Sequence, residues 1–155
     1  MEKIRKLWQN EYFKTAISIL VIIIVFLIFW FGSIAYFNTE NPYLVVSSGS
    51  MRPTLEVGDL IIVKRVAPSE INANYSNGDV IVFKSPINPQ KLIVHRAIKK
   101  EVKNGMYWFT THGDNNRPSL TENFSEEYYV GKVIARVPFI GHISLFTHTP
   151  EGYYF

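Results

Sequence analysis

Residues 16–37 read AISILVIIIVFLIFWFGSIAYF, a run of 22 residues without a charged side chain. As an α-helix rising about 1.5 Å per residue, this run extends roughly 33 Å, and the hydrocarbon core of a bilayer is about 30 Å thick. The run therefore predicts one transmembrane helix. A cleaved secretory signal is the alternative, because Ser33-Ile34-Ala35 has the small-x-small spacing of a processing site. The length of the run and the aromatic residues at 29–31 favour a retained anchor.

The charges on the two sides of this run differ. Four basic residues precede it, and no lysine or arginine follows it until Arg52. Because cytoplasmic flanks carry the excess of Lys and Arg, we expect residues 1–15 in the cytoplasm, 16–37 in the membrane and 38–155 outside the cytoplasm. The expected location is the cell membrane, with a single pass through the lipid.

The composition excludes several kinds of chemistry. The chain has no cysteine, which rules out disulfides, thiolate metal sites and a cysteine nucleophile. Its net charge of +3 is modest, and no basic run or nucleic-acid motif is present. Nucleic acid is therefore not expected as a partner, and the basic excess is better explained by membrane topology.

The part of the chain after residue 37 predicts a single all-β domain. Short β-branched and aromatic segments alternate there with turn residues, and Asn104-Gly105 is typical of a tight hairpin turn. The 118 residues from 38 to 155 suffice for one hydrophobic core. The predicted strands are 43–47, 59–66, 79–84, 92–100, 106–112 and 128–137.

A small polar segment after the first predicted strand could expose a nucleophile. Residues 47–55 read SSGSMRPTL, and such a turn can aim a hydroxyl and backbone N–H groups at one point. A surface loop of turn formers has the same composition. A serine hydroxyl is inert without a base, which must come from His95, His112, His142 or His148.

Two of these histidines have ordinary structural explanations as well. His95 lies in the apolar segment 92–97, where a packed imidazole bound to a carbonyl would fit. His112 precedes Gly-Asp-Asn-Asn at 113–116, which Asx-turn chemistry alone would explain.

Four stretches, in this order along the chain, resemble the type I signal peptidases, and within them the endoplasmic-reticulum and archaeal type. They are SGSMRPTL at 48–55, GDLI at 58–61, GDVIVF at 78–83 leading to IVHR at 93–96, and GDNN at 113–116. Together with the N-terminal anchor they cover nearly the whole chain. The resemblance implies a signal-peptidase-like catalytic domain, and the absence of a second anchor sequence leans toward an archaeal origin.

The resemblance also implies roles for individual residues. Ser50 would attack the scissile carbonyl and form an acyl-enzyme, with His95 as general base where the bacterial branch uses lysine. Ser48 would hold the oxyanion with the backbone N–H of Ser50. Asp114 would orient the His95 ring and stabilise its cation. His112 is a further candidate for the base.

One departure from the family pattern concerns the acid. Many relatives have another aspartate a few residues after the Gly-Asp-Asn motif, whereas residues 117–121 read RPSLT and hold no acid before Glu122. Either Asp114 acts alone, or Glu122 substitutes for the second aspartate. A solvated loop carboxylate is the ordinary interpretation of Glu122.

The substrates implied by the resemblance are preproteins with small residues at the first and third positions before the cut. A translocon or accessory subunits are candidate partners, and no cofactor or metal is expected. The alternatives are a catalytically silent anchored β module that binds exported chains or a partner subunit, a self-cleaving repressor or another serine peptidase on a related β scaffold, and a metal enzyme built on His112, Asp114 and a third ligand. Asn74 and Asn123 fit the N-glycosylation pattern, which chance also explains.

Overall fold

The computed structural model of the chain describes residues 10–138 and residue 140. The chain divides into two compact units, with the boundary between Tyr36 and Phe37. In the first unit, helix α1 covers Glu11–Phe37. It is the one helix among the described residues that is long and apolar enough to cross a membrane. The predicted apolar helix is confirmed, and it begins at Glu11 rather than at residue 16. His142, His148 and the end of the predicted domain lie outside the described residues.

The second unit is a seven-stranded antiparallel sheet, so the mainly β class is confirmed. The strands follow one another in the order β1-β2-β7-β3-β4-β5-β6 across the sheet. Their bounds are β1 (Tyr43–Val45), β2 (Leu60–Lys64), β3 (Val80–Lys84), β4 (Leu92–Lys103), β5 (Met106–His112), β6 (Thr121–Ser125) and β7 (Tyr129–Val137).

Six of these strands match predicted segments, and β6 was not predicted. Its sequence, TENFS, is mostly polar, and its first three residues are exposed or half-buried. It forms one edge of the sheet, where β5 is the one described strand that supplies backbone hydrogen bonds to it. An edge strand with few buried side chains lacks the alternating apolar pattern by which strands are found in a sequence.

Strand β3 lies at the centre of two hydrophobic clusters. Ile81 and Phe83 belong to one cluster and Val82 to the other, as expected where successive side chains point to opposite faces of the sheet. All three side chains are fully buried. Strand β3 therefore gives its neighbour β4 a rigid support.

The strand register decides which polar side chains share a face. Ala97 on β4 pairs with Thr111 on β5, which pairs with Glu122 on β6, and His95 lies two residues before Ala97. Because residues i and i+2 and direct cross-strand partners point to the same side, these side chains share one face. Arg96, between them on β4, points to the opposite face.

Candidate active site

The turn between β1 and β2 presents Ser50. Residues Gly49–Met51 form a single 3-10 turn, in which Met51 is 1% exposed and belongs to the hydrophobic core. Leu55, a few residues further, is buried in the same core. The turn is therefore anchored immediately after Ser50, whose own side chain remains half-buried.

His95 approaches Ser50 from strand β4. Its Nε2 lies 3.2 Å from the Ser50 Oγ, and the residue is 5% exposed. The ring packs against Phe83 of the adjacent strand, with the ring centroids 6.4 Å apart. The two residues expected to be nucleophile and base are thus within hydrogen-bond distance although they are 45 positions apart in the sequence.

The second ring nitrogen of His95 contacts a carboxylate, and that carboxylate is Glu122 rather than Asp114. The distance between His95 Nδ1 and Glu122 Oε2 is 2.8 Å. Glu122 reaches the ring because β6 places it on the same face of the sheet as His95. The structure therefore differs from the expectation that Asp114 orients this ring.

Asp114 instead forms an ion pair with Arg96. The Arg96 Nε and Nη2 atoms donate to the two carboxylate oxygens at 2.8 and 2.6 Å, and the Thr54 hydroxyl donates to the same carboxylate. Arg96 also donates to the carbonyl of Gly78 at 2.7 Å. His112, the last residue of β5, pairs with Arg96 in the strand register and so lies on the face opposite His95. Asp114 comes two residues after His112 and therefore lies on the same face as His112 and Arg96.

Both carboxylates are ionised more easily than isolated ones. Burial by itself raises the pKa of Glu122, but the hydrogen bond and charge of His95 and the hydrogen bond of Thr111 outweigh it, so the pKa lies below its ordinary value. Burial opposes ionisation of Asp114 in the same way, and hydrogen bonds from Arg96 and Thr54 again leave the pKa lowered. Each carboxylate is therefore held in its ionised form by its hydrogen-bond donors.

The loop after β5 holds the Ser50 turn in place. The backbone N–H of Asn115 donates to the carbonyl of Ser50 at 2.8 Å, and its side-chain amide donates to the carbonyl of Gly49 at 3.1 Å. A Cβ added at Gly113 would lie 2.8 Å from both His95 Nε2 and the Ser50 carbonyl. Only a glycine allows the loop to pass this close to both groups.

The remaining candidates occupy different places. The Ser48 Oγ lies 3.4 Å from the Ser50 Oγ, at the mouth of the site. His112 points away from Ser50: its Nε2 lies 3.2 Å from the carbonyl of Arg117, and its ring stacks on Tyr75. Of His95 and His112, the two candidate bases among the described residues, the structure brings His95 to Ser50.

A cleft of about 380 Å³ opens beside Ser50. Its walls come from β1 and the residues after it, the Ser50 turn, the first residues of β4, and Asn116 and Glu122, and they combine apolar and polar side chains. Strand β1 is the other edge of the sheet, with β2 as its one neighbour among the described strands. The side chains that line the cleft on these elements include Leu44, Val46, Met51, Leu92 and Val94.

Several residues of the site were not predicted from the sequence. Arg96 and Thr54 donate to the Asp114 carboxylate. Thr111 donates to Glu122, and Asn115 donates to the carbonyl of Ser50. Arg96 carried a signal, because a charged residue in the middle of an apolar strand requires a partner. The others are small polar residues with ordinary turn or strand compositions, and only the three-dimensional contacts reveal them.

Comparison with known proteins identifies the family of the chain. The sequence profile of the family described as "Signal peptidase, peptidase S26" matches residues 10–100, more than half of the chain. The chain belongs to this family. It is 30% identical over 151 residues to the signal peptidase complex catalytic subunit SEC11C of Canis lupus familiaris, covering 92% of the chain and 76% of the relative. The human SEC11C is 29% identical over the same length, and the sec11 subunit of Neurospora crassa is 32% identical over 125 residues.

Among residues 10–138 and 140, no group of three or more His, Asp or Glu side chains has the arrangement needed to hold a metal ion. His112 and Asp114 are the candidate metal ligands named above. His112 contacts the carbonyl of Arg117, and Asp114 accepts hydrogen bonds from the guanidinium of Arg96.

Proposed function

We propose that this chain is a membrane-anchored signal peptidase that removes N-terminal signal peptides from exported preproteins, with Ser50 as nucleophile, His95 as general base and Glu122 as the acid that supports the base. The observation that carries the proposal is the continuous chain of contacts from the Ser50 hydroxyl to His95 Nε2 and from His95 Nδ1 to Glu122. Family membership supports the reaction, and the contacts support the roles.

The two contacts of His95 assign a direction to proton transfer. When Nδ1–H donates to Glu122, Nε2 carries a lone pair and accepts the proton of the Ser50 hydroxyl. The Ser50 oxygen then attacks the scissile carbonyl carbon, and the carbonyl oxygen becomes an oxyanion. The imidazolium returns its proton to the leaving amine as the carbon–nitrogen bond breaks, which leaves an acyl-enzyme on Ser50. Water, deprotonated by the same Nε2, releases the acyl group.

Ser48 and the backbone N–H of Ser50 are the proposed donors to the oxyanion. The hydroxyl of Ser48 is 3.4 Å from the attacking oxygen, so a group bound to Ser50 comes within its reach. Preorganised donors of this kind contribute about 3 kcal/mol each to the stabilisation of the transition state.

Asp114 has a different role in this proposal from the one expected from the sequence. Through Arg96 it connects the loop after β5 to the backbone at Gly78 and to Thr54 behind the Ser50 turn. It is therefore a positioning residue, which keeps the turn and the loop in register without contacting the base.

The cleft beside Ser50 suits an extended peptide. An extended chain can pair with an edge strand by main-chain hydrogen bonds, and β1 is such an edge beside the cleft. The cleft of about 380 Å³ has room for the side chains of such a peptide, and apolar residues form part of its walls. Small residues next to the cut are what the family resemblance implies. We propose preproteins with small residues at the first and third positions as substrates.

The anchor places the enzyme where these substrates are. We propose that residues 1–15 lie in the cytoplasm, that α1 spans the cell membrane and that the β domain lies outside, as the basic N-terminal flank indicates. Tethering both enzyme and substrate to one membrane raises their effective concentration. Since the relatives are named as subunits of a signal peptidase complex, accessory subunits are proposed partners.

The proposal is tested by digesting a purified preprotein with the full-length chain in detergent micelles. Ser50→Ala should abolish cleavage at the signal junction while the thermal unfolding curve stays unchanged. Ser119→Ala, which removes an exposed serine hydroxyl from the loop after β5, is the control and should cleave as wild type does. Cleavage by Ser50→Ala at the wild-type rate would instead indicate another nucleophile, and failure of the wild-type chain itself to cleave would indicate a silent binding module.

A further inference from the structure

The hydroxyl of Thr111 contacts the same carboxylate oxygen that binds His95. Thr111 Oγ1 lies 3.1 Å from Glu122 Oε2, and His95 Nδ1 lies 2.8 Å from that atom. Thr111 is 0% exposed, on the strand between those that carry the other two residues. Glu122 is its direct register partner on β6. A single oxygen therefore accepts two hydrogen bonds from two different strands.

This arrangement restricts the conformation of the carboxylate. Glu122 is a flexible side chain on an edge strand, and about 30% of its side chain is exposed, so solvent competes for its oxygens. The Thr111 side chain is β-branched and has few rotamers in a strand, which makes its hydroxyl a fixed donor. A fixed donor on Oε2 holds that oxygen in line with His95 Nδ1. Hydrogen-bonding partners of this kind commonly orient a catalytic group without touching the substrate.

We propose that Thr111 is a positioning residue for the reaction, acting on His95 only through Glu122. The inference rests on the proposed function, since it assigns Thr111 a part in the same relay. Among the described residues, no hydrogen bond joins Thr111 to Ser50, and Thr111 does not line the cleft, which its hydroxyl reaches only through Glu122. Its loss therefore lowers the turnover rate rather than the binding of substrate.

The neighbouring Thr110 supplies a matched control. Its Oγ1 donates to Asn123 Oδ1 at 2.7 Å, which is also a hydrogen bond from a β5 threonine to a β6 side chain. Adjacent strand residues point to opposite faces, so this bond lies away from His95. Replacing either threonine with valine removes one hydroxyl and keeps the β-branched shape.

The experiment measures kcat and KM for preprotein cleavage by the full-length chain in detergent micelles. Thr111→Val should lower kcat by about 10- to 100-fold with KM unchanged, in the range found when an orienting partner is removed. Thr111→Ser should restore most of the rate, because it returns the hydroxyl. Thr110→Val should leave both constants unchanged. Thr111→Val with a lower melting temperature but the wild-type kcat would overturn the proposal and leave a structural role.

A double-mutant cycle separates this inference from the proposed function. In the Glu122→Gln background, adding Thr111→Val should have little further effect on kcat, because the group on which Thr111 acts is already changed. Equal losses in both backgrounds would show that Thr111 acts by another route and overturn the inference alone. Wild-type activity of Glu122→Gln by itself would instead overturn the proposed relay.

Discussion

The two ends of the β4–β5 hairpin consist of the same two strands but differ in the burial and the partners of their charged side chains. At the end near the cleft, His95 and Arg96 each contact a carboxylate from another part of the chain, and all four side chains are at most 30% exposed. At the turn end, Glu101 pairs with two lysines of its own strand, whose side chains are 63% and 59% exposed. The ion pairs near the cleft join distant parts of the chain, whereas those of Glu101 are local.

The difference shows that the size of a pKa shift does not by itself identify a functional group. The pKa of Glu101 is lowered to about 2 by hydrogen bonds to Lys103 and Lys99, yet water reaches all three side chains. Exposed ion pairs of this kind contribute little to stability because solvent and salt screen them. Burial together with partners from distant elements distinguishes the end near the cleft.

The largest expected contrast between the two ends comes from their glycines. Gly113→Ala should reduce cleavage by about 100-fold or more, because the new Cβ would displace the His95 ring or the Ser50 carbonyl. Gly105 has a φ of +78° and open space around it, so Gly105→Ala should destabilise the fold by about 1 kcal/mol and leave kcat unchanged. Assays and thermal melts of both variants make the comparison, and equal activity of the two would contradict it.

Replacing Asp114 with asparagine is expected to have a smaller effect, on the stability of the folded state. Its pKa is lowered from 3.8, so it stabilises the folded state at pH values above 3.8, and this contribution is lost as the pH falls through the lowered pKa. Asp114→Asn should therefore lower stability by about 2 kcal/mol at neutral pH and weaken the dependence on pH below 3.8. Melting curves from neutral to acid pH measure both effects. Parallel curves for the two proteins would contradict the ion pair's role.

The smallest effect is expected at the turn end. Glu101→Gln removes the carboxylate that binds Lys99 and Lys103, but solvent hydrates all three groups in either state. The melting temperature at physiological salt and the cleavage rate should both equal those of the wild type. A clear drop in either, measured beside Asp114→Asn, would show that the local ion pairs matter as much as the buried one.

Much of the fold could be predicted from the sequence because its signals are local. The charge-free run predicted α1, and alternating apolar residues predicted six of the seven strands. The proximity of Ser50 and His95 followed from a resemblance in motifs, not from local pattern. Strand β6 was missed because its polar sequence lacks that pattern.

The carboxylate that contacts His95 could not be assigned from the sequence, because its position depends on the strand register. Asp114 belongs to a recognisable motif, but its position two residues after His112 puts it on the Arg96 face. Glu122 looks like a loop carboxylate until β6 pairs with β5 and turns it toward His95. A shift of one residue in a strand reverses the face of every side chain, and the sequence alone does not fix such a shift.

The most direct test of the proposed relay compares Glu122→Gln with Asp114→Asn in kcat for preprotein cleavage at neutral pH. Glu122→Gln should lose about 10⁴-fold, as expected when the carboxylate that fixes the tautomer of a catalytic histidine is neutralised. Asp114→Asn should lose far less at a temperature where it remains folded, because Asp114 binds Arg96 and not the His95 ring. A larger loss for Asp114→Asn than for Glu122→Gln would contradict the account.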